Sequence, residues 1–337
     1  MIKILSLFLK HWQSWCERSV NRRIFAATLV IVACTLLVNL VQFARELFVA
    51  QRFGTSDALD AYLIAYLVPS FAISVVAGTF SSAFIPTYIQ VLEAEGQEAA
   101  RRLFSKILAL CLATLLLLMI ILSLLAKPML TALASGFHAE KLGLTHTLFL
   151  LLLPCLFFSG MAKIAGAVLN AGEAFALAAL APLLTPVLAI LALWFWGESK
   201  GVYALAAGTL AGFALEAAIM LLALWRKGVR LRVQWDIKDA RVQQVLAQYL
   251  PVAASAVLMT GAGVIDQVMA AMLAPGSVAA LGYGNKVVAF VIGLGSMSLG
   301  TAVFPYVARM AANADWRGLR HTLRAYSRLL ALVTIPT

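Results

Sequence analysis

The segment RELFVAQRFGTSDALDAY, residues 45–62, sets five charged side chains, Arg45, Glu46, Arg52, Asp57 and Asp60, between two long apolar runs. No charge occurs from Ile24 to Phe43 or from Ala61 to Leu92. A short charged junction around Gly54, between uncharged stretches of about 20 residues or more, is the pattern of two helices that cross a bilayer and meet at its surface.

The rest of the chain repeats that pattern. Hydrophobic residues make up 63% of the 337 and charged residues only 12%, with a mean hydropathy of +0.93, too oily and too poor in charge for a soluble domain. Runs long enough to cross the roughly 30 Å hydrocarbon layer fall near 24–44, 59–84, 103–126, 146–170, 174–196, 202–225, 246–273 and 278–305. A ninth run begins after Arg324 and reaches Thr337 with too few residues to cross, as a chain cut within a helix would. None shows the alternation of barrel strands, and backbone in lipid must bond to itself, so the expected fold is an all-α integral membrane bundle.

The net charge of +11 would suggest nucleic acid in a soluble protein, but here the basic residues lie in the gaps between runs. Alternate gaps are unequal. The N-terminal tail and the gaps holding Arg101 and Arg102, Arg226 to Arg241, and Arg309 to Arg328 carry most of the Lys and Arg; the opposite side carries Arg45, Arg52, Lys127, Lys141 and Lys200. By the positive-inside rule the N-terminus is expected to be cytoplasmic, and the bias reports membrane orientation rather than nucleic-acid binding.

The four cysteines lack metal-like spacing and three sit in apolar runs, while the four histidines are scattered. No cofactor or metal is expected. Residues 1–23 lack a signal-peptide cleavage site; Ile4, Leu5, Phe8, Leu9, Trp12 and Trp15 share one helical face, which describes an interfacial amphipathic helix.

A faint internal repeat pairs SDALDAY (56–62) with SVAALGY (277–283), and AFIP (83–86) with AVFP (302–305). The first and seventh runs then open equivalent units. This divides the chain into a first lobe of six helices (24–225), a basic cytoplasmic loop (226–245) and the start of a second, pseudo-symmetric lobe (246–337) that is incomplete.

Charges within the runs are the candidate functional residues: Lys163, Glu216 and Asp266 deep in the fourth, sixth and seventh, and Lys286 in the first turns of the eighth. Each costs about 2.5–3.5 kcal/mol at a helix centre on insertion scales, and such residues usually face a water-filled cavity. Other readings stand beside this one: Lys163 can snorkel to the interface, and Glu216 and Asp266 can simply pair with a neighbour. At the opening junction, Arg52 and Asp57 suit plain solvation, whereas Arg45, Glu46 and Asp60 can turn inward. Prolines and glycines within the runs, such as Pro69 and Gly78, serve either packing or kinking.

The stretch FARELFVAQRFGTSDALDAYLIAYLVP with GTFSSAFIP, then GAVLNAGEAFALAALAPLLTPV and GYGNKVVAFVIGLGSMSLGTAVFP, resembles the MurJ/MviN lipid II flippase family, within the multidrug/oligosaccharidyl-lipid/polysaccharide exporter superfamily. The resemblance implies fourteen spans in a complete member and a central cavity whose cations hold the diphosphate of an undecaprenyl-linked sugar. Carried over by position, Arg45 matches a cavity arginine and Asp60 the carboxylate opening the second span. Lys286 stands where the family has arginine after aspartate, and the aspartate here is Asn285. Asn39 takes the place of another arginine, and the arginine pair after the second-span proline falls on neutral Ile73 and Ser74.

The expected function is that of a flippase, not an enzyme, moving a lipid-linked oligosaccharide among membrane lipids. Arg45, Lys286, Lys163 and Asp60 would hold the substrate; Glu46, Glu216 and Asp266 would pair charges or bind a coupling cation. The lost arginines suit a relative moving an exopolysaccharide or O-antigen unit, since Lys offers phosphate a point charge and Arg a fork. A cation-coupled multidrug exporter would need acidic residues to dominate the cavity. A membrane glycosyltransferase would need an acidic metal-binding loop, for which DIKD at 236–239 is the nearest stretch.

Overall fold

The computed structural model describes residues 20–171, 175–227, 236 and 239–290. Every regular element among them is helical. The helices are α1 (Val20–Phe53), α2 (Asp57–Ala72), α3 (Phe80–Glu95), α4 (Gln97–Leu124), α5 (Ala126–Leu133), α6 (Ala139–Leu152), α7 (Pro154–Ala171), α8 (Phe175–Leu180), α9 (Leu184–Lys200), α10 (Val202–Arg226), α11 (Ala240–Ala271) and α12 (277–290). Seven helical stretches of the described residues are long and apolar enough to cross a membrane, and they follow the first seven expected runs in order. The amphipathic segment before Val20, half of the 226–245 loop, the later part of the eighth run and the ninth lie outside the described residues.

The larger compact unit comprises residues 37–287; the smaller includes 20–36, helical as the first part of α1, and 288–290. In the larger unit the opening junction is a tight helix-to-helix turn. Gly54 takes φ +54°, which a residue without Cβ adopts freely. Ser56 caps α2, its hydroxyl accepting from the Leu59 amide, and Asp57 and Asp60 place negative charge in the first turn, where the helix dipole favours it.

The structure changes several of the expected boundaries. The second run does not end at 84: Asp57–Glu95 forms one long stretch, interrupted by a π-helical turn at Ile73–Gly78. Pro69, which has no amide to donate to the preceding turn, lies one turn before that segment. The fourth run starts earlier, at Ala139, and is split at Leu153 and Pro154 into α6 and α7. The fifth is broken by a 3₁₀ turn at Ala181–Leu183, beside Pro182 and Pro186.

The core of this unit is a ladder of aromatics and leucines. Phe80, Phe84 and Tyr88 follow one another a turn apart on α3, the first two rings stacked and the third tilted, and Phe84 also meets Phe104 of α4. Where α9 and α10 pair, small residues take over. A Cβ on Gly208 would come within 2.6 Å of the Ala192 methyl, and one on Gly212 within 2.4 Å of Thr185 Cα. Backbones that close allow dispersion contacts to replace the hydrophobic drive that lipid cannot supply.

Candidate functional site: a charged cavity with a contact set at each end

A cavity of about 630 Å³ opens among α1, α2, the π turn, α7, α9, α10 and α12. Its charged lining is Arg45 and Glu46 from α1, Lys163 from α7, Glu216 from α10 and Lys286 from α12. Three cations therefore face two carboxylates.

Glu46 links two of the cations. Its Oε1 lies 2.5 Å from Arg45 Nη2 and its Oε2 lies 2.5 Å from Lys286 Nζ, so one carboxylate joins the first helix to the last described one. Arg45 Nε is buried with no hydrogen-bond partner, which leaves a donor of the guanidinium unspent beside the cavity. Behind it, the buried Tyr62 hydroxyl and Thr209 Oγ1 are 3.1 Å apart, and Tyr62 stacks on Tyr66, a cavity residue. These aromatics hold α2 against α10 and wall Arg45 from the apolar core. On the far side Glu216 is buried, and Thr185 donates to its Oε2 at 3.4 Å. Lys163 is the exposed cation of the set. The π turn contributes Ile73, Ser74, Ala77 and Gly78, so the neutral pair noted from the sequence lies on the cavity wall.

Two expected site residues lie elsewhere. Asp60 does not line the cavity; it is 1% exposed and its oxygens are occupied. Oδ2 accepts from Lys141 Nζ at 2.8 Å and from the Gly276 amide at 2.7 Å, while Oδ1 accepts from the Ala279 amide at 2.8 Å. A carboxylate on the unsatisfied amides of a helix start is a structural tie, and it holds α2 to the beginning of α12. Asp266 is also outside the cavity, exposed on α11.

Lys141, one of the charges the sequence places on the outer side, is only 5% exposed: it donates to both Asp57 (2.5 Å) and Asp60 (2.8 Å), and lies over the Phe137 ring. Its polar neighbours in FHAEKLGLTH read as a loop, and no sequence signal marked it. Asp57, expected to be merely solvated, is half of this clasp. Arg52 meets Glu198 only loosely, at 3.8 Å.

A second contact set occupies the opposite end of the α2–α3 stretch. Lys106 Nζ donates to Asp236 at 2.7 Å and Asp239 at 2.6 Å, so both carboxylates of DIKD close on a lysine. Lys106 beside Asp239 holds that carboxyl below the usual carboxylate range. Along one face of α11, Arg241 pairs with Glu95, Gln244 with Gln90 (3.4 Å) and Gln248 with Thr87 (3.4 Å). Tyr249 then donates to the Val75 and Val76 carbonyls of the π turn. These carbonyls lie where the α-helical ladder is interrupted, and the tyrosine supplies them with a donor.

The cavity is charged and lies among helices of the larger unit, and comparison with known proteins supplies the family. The family described as "Lipid II flippase MurJ" matches residues 49–337. A probable lipid II flippase MurJ of Vibrio cholerae is 25% identical over 333 residues, covering 95% of this chain and 63% of the relative. The lipid II flippase MurJ of Burkholderia cenocepacia is 29% identical over 304 residues, covering 87% and 58%. The chain thus spans less than two thirds of the length of these relatives. Among solved structures, a lipid II flippase MurJ in an inward closed conformation superposes with a TM-score of 0.72 at 21% identity, over 86% of this chain and 60% of that one. An inward-facing multidrug resistance MATE family transporter superposes at 0.67 with 16% identity, over 91% and 71%. The structural likenesses speak for the fold alone; the match from residue 49 onward adds the sequence, and together they make this all-helical membrane chain a member of the MurJ lipid II flippase family.

Proposed function

We propose that this chain takes part in flipping a polyprenyl-diphosphate-linked saccharide, a lipid II-like peptidoglycan precursor, from the cytoplasmic to the outer leaflet of the inner membrane. The observation that carries the reading is the cavity in which Arg45, Lys163 and Lys286 converge. A diphosphate needs fixed donors in a partly desolvated site, and the open Nε of Arg45 beside two ammonium groups offers them. Translocation makes and breaks no bond, so the protein acts as a transporter and not as an enzyme.

Alternating access between a six-helix lobe (24–225) and a second lobe opening at 246 accounts for the two contact sets. Asp60 ties α2 to α12 at one end, and the α11 face ties to α3 and α4 at the other. Each opening breaks one set while the other persists. The Lys and Arg asymmetry supports a cytoplasmic N-terminus, which puts the Asp60 set on the outer side. Glu216, buried and hydrogen-bonded among the described residues to Thr185, suits a coupling cation; one charge crossing 100 mV yields about 2.3 kcal/mol.

The test is export of the glycan by the protein as its gene encodes it, with Arg45→Ala and Lys286→Ala introduced together. Loss of export at normal membrane abundance is the expected result; undiminished export would overturn the cavity assignment. One observation favours a second reading, a different lipid-linked glycan such as an exopolysaccharide unit. Ile73 and Ser74 put neutral groups on the wall where the resemblance places arginines, leaving fewer forks for phosphate.

A further inference from the structure

A second concavity lies on the other face of α10. Thr209, Phe213 and Glu216 face the central cavity, whereas Ala204, Ala207, Gly208 and Ala211 line a furrow of about 430 Å³ against Leu188 and Ala192 of α9. The cavity and the furrow share no lining residue. The furrow exists because alanine and glycine fill positions where larger side chains would meet the neighbouring helix.

Its chemistry is sharply graded. The floor is apolar, within stretches suited to span a membrane, so hydrocarbon and not water is the medium that meets it. The mouth lies at the α9–α10 turn, where Gly201 takes φ +53°, and there Trp196, Lys200 and Tyr203 border the furrow. Trp194, Phe195 and Trp196 stand exposed beside it, the arrangement of an aromatic belt at headgroup depth. Lys200 is exposed and makes no ion pair among the described residues, while the nearby Glu198 is directed to Arg52.

We propose that this furrow is a binding site for an anionic phospholipid, one acyl chain lying on the Ala204–Ala211 floor and the phosphate on Lys200. Its volume is in the roughly 300–1,000 Å³ range of small-molecule sites. A zwitterionic lipid would fill the furrow but present its own ammonium to Lys200; an anionic one leaves the lysine as its counter-ion. The transported substrate is disfavoured as occupant because the furrow opens away from the cavity that holds Arg45 and Lys286. The site stands independently of the proposed transport activity.

The experiment places the full protein in phosphatidylcholine vesicles containing increasing phosphatidylglycerol with brominated acyl chains, which quench nearby tryptophan. The Trp196 signal is the difference between the unchanged protein and Trp196→Phe. We expect phosphatidylglycerol to be preferred at Trp196 by about fivefold, the effect of a single basic residue near an anionic headgroup. Lys200→Gln should bring the preference close to one, Lys200→Arg should keep it, and Ala207→Leu, which fills the floor, should also abolish it. Equal preference in the protein and Lys200→Gln would overturn the site, as would displacement of phosphatidylglycerol from Trp196 by a stoichiometric short-chain polyprenyl phosphate, which would give the furrow to the carrier lipid.

Discussion

Asp60 and Lys141 form an ion pair, 2.8 Å apart, in which the two side chains are 1% and 4% exposed. Breaking a buried pair by removing one partner leaves an uncompensated charge and is worth about 3–5 kcal/mol. Lys141→Met should therefore lower the unfolding free energy of the detergent-solubilised protein by several kcal/mol. Asp57→Asn, whose carboxylate is 46% exposed, should change it by about 1 kcal/mol or less. Asp60→Asn combined with Lys141→Met should be less damaging than the sum of the single changes. A double-mutant cycle by thermal unfolding reads the coupling; strict additivity would mean that the two do not act as a pair.

Gly276 carries the other side of the same clasp. It takes φ +86°, and a Cβ there would come within 2.5 Å of the Thr55 carbonyl oxygen. Its amide must stay on Asp60, so the turn cannot simply back away. Gly276→Ala should destabilise by about 1–3 kcal/mol from the backbone conformation alone, with the clash added. Thr55→Ser should not rescue it, because the obstructing atoms include main chain. Melting temperatures of the single and double variants decide this; a rescued double variant would locate the strain in the threonine side chain.

The contrast between Arg45 and Asp60 shows what the sequence can and cannot display. Both are charges inside the ends of adjacent spans, and hydropathy places them equally well. Their fates differ because Asp60 meets a helix start 216 residues later, a tertiary event without local trace. The burial of Lys141 has no local trace either, because it depends on two aspartates brought from α2. Span order was legible because every crossing needs its own apolar run, which local composition records. The π turn at Ile73–Gly78 was foreshadowed by Pro69 and Gly78 as a kink without its form, since an interrupted ladder also takes an outside donor, and Tyr249 comes from α11.

Glu46 competes for two of the donors facing an incoming diphosphate, bridging Arg45 Nη2 and Lys286 Nζ at 2.5 Å each, while Arg45 Nε stays open. Glu46→Gln should free both cations and raise the affinity for a short-chain polyprenyl diphosphate saccharide. Arg45→Ala should lower it by roughly tenfold or more, the range of one charge-assisted hydrogen bond. Titration calorimetry on the purified protein measures both. Equal losses in the two variants would make Glu46 a positioning group that the anion site requires rather than a competitor for it.

Asp239 offers a pH test away from the membrane-spanning segments. Its carboxyl is held below the usual range first by the bond from Lys106, and it also caps α11 through the Arg241 amide. A depressed folded-state pKa gives stability that is fully present above the unfolded value of about 3.9 and is lost as pH falls through the folded value. The melting temperature should thus be insensitive to this group from pH 8 to about 5, and its contribution should disappear on further acidification. Because the pair is partly exposed, that contribution should be about 1 kcal/mol or less and should shrink in high salt. Asp239→Asn keeps a capping oxygen and removes the charge, so it should erase this part of the acid sensitivity at little other loss. Asp239→Ala removes the cap as well and should lower stability at every pH by a further 0.5–2 kcal/mol or so. If Asp239→Asn left the acid limb of the melting profile unchanged, Lys106 would be holding the loop through Asp236 alone.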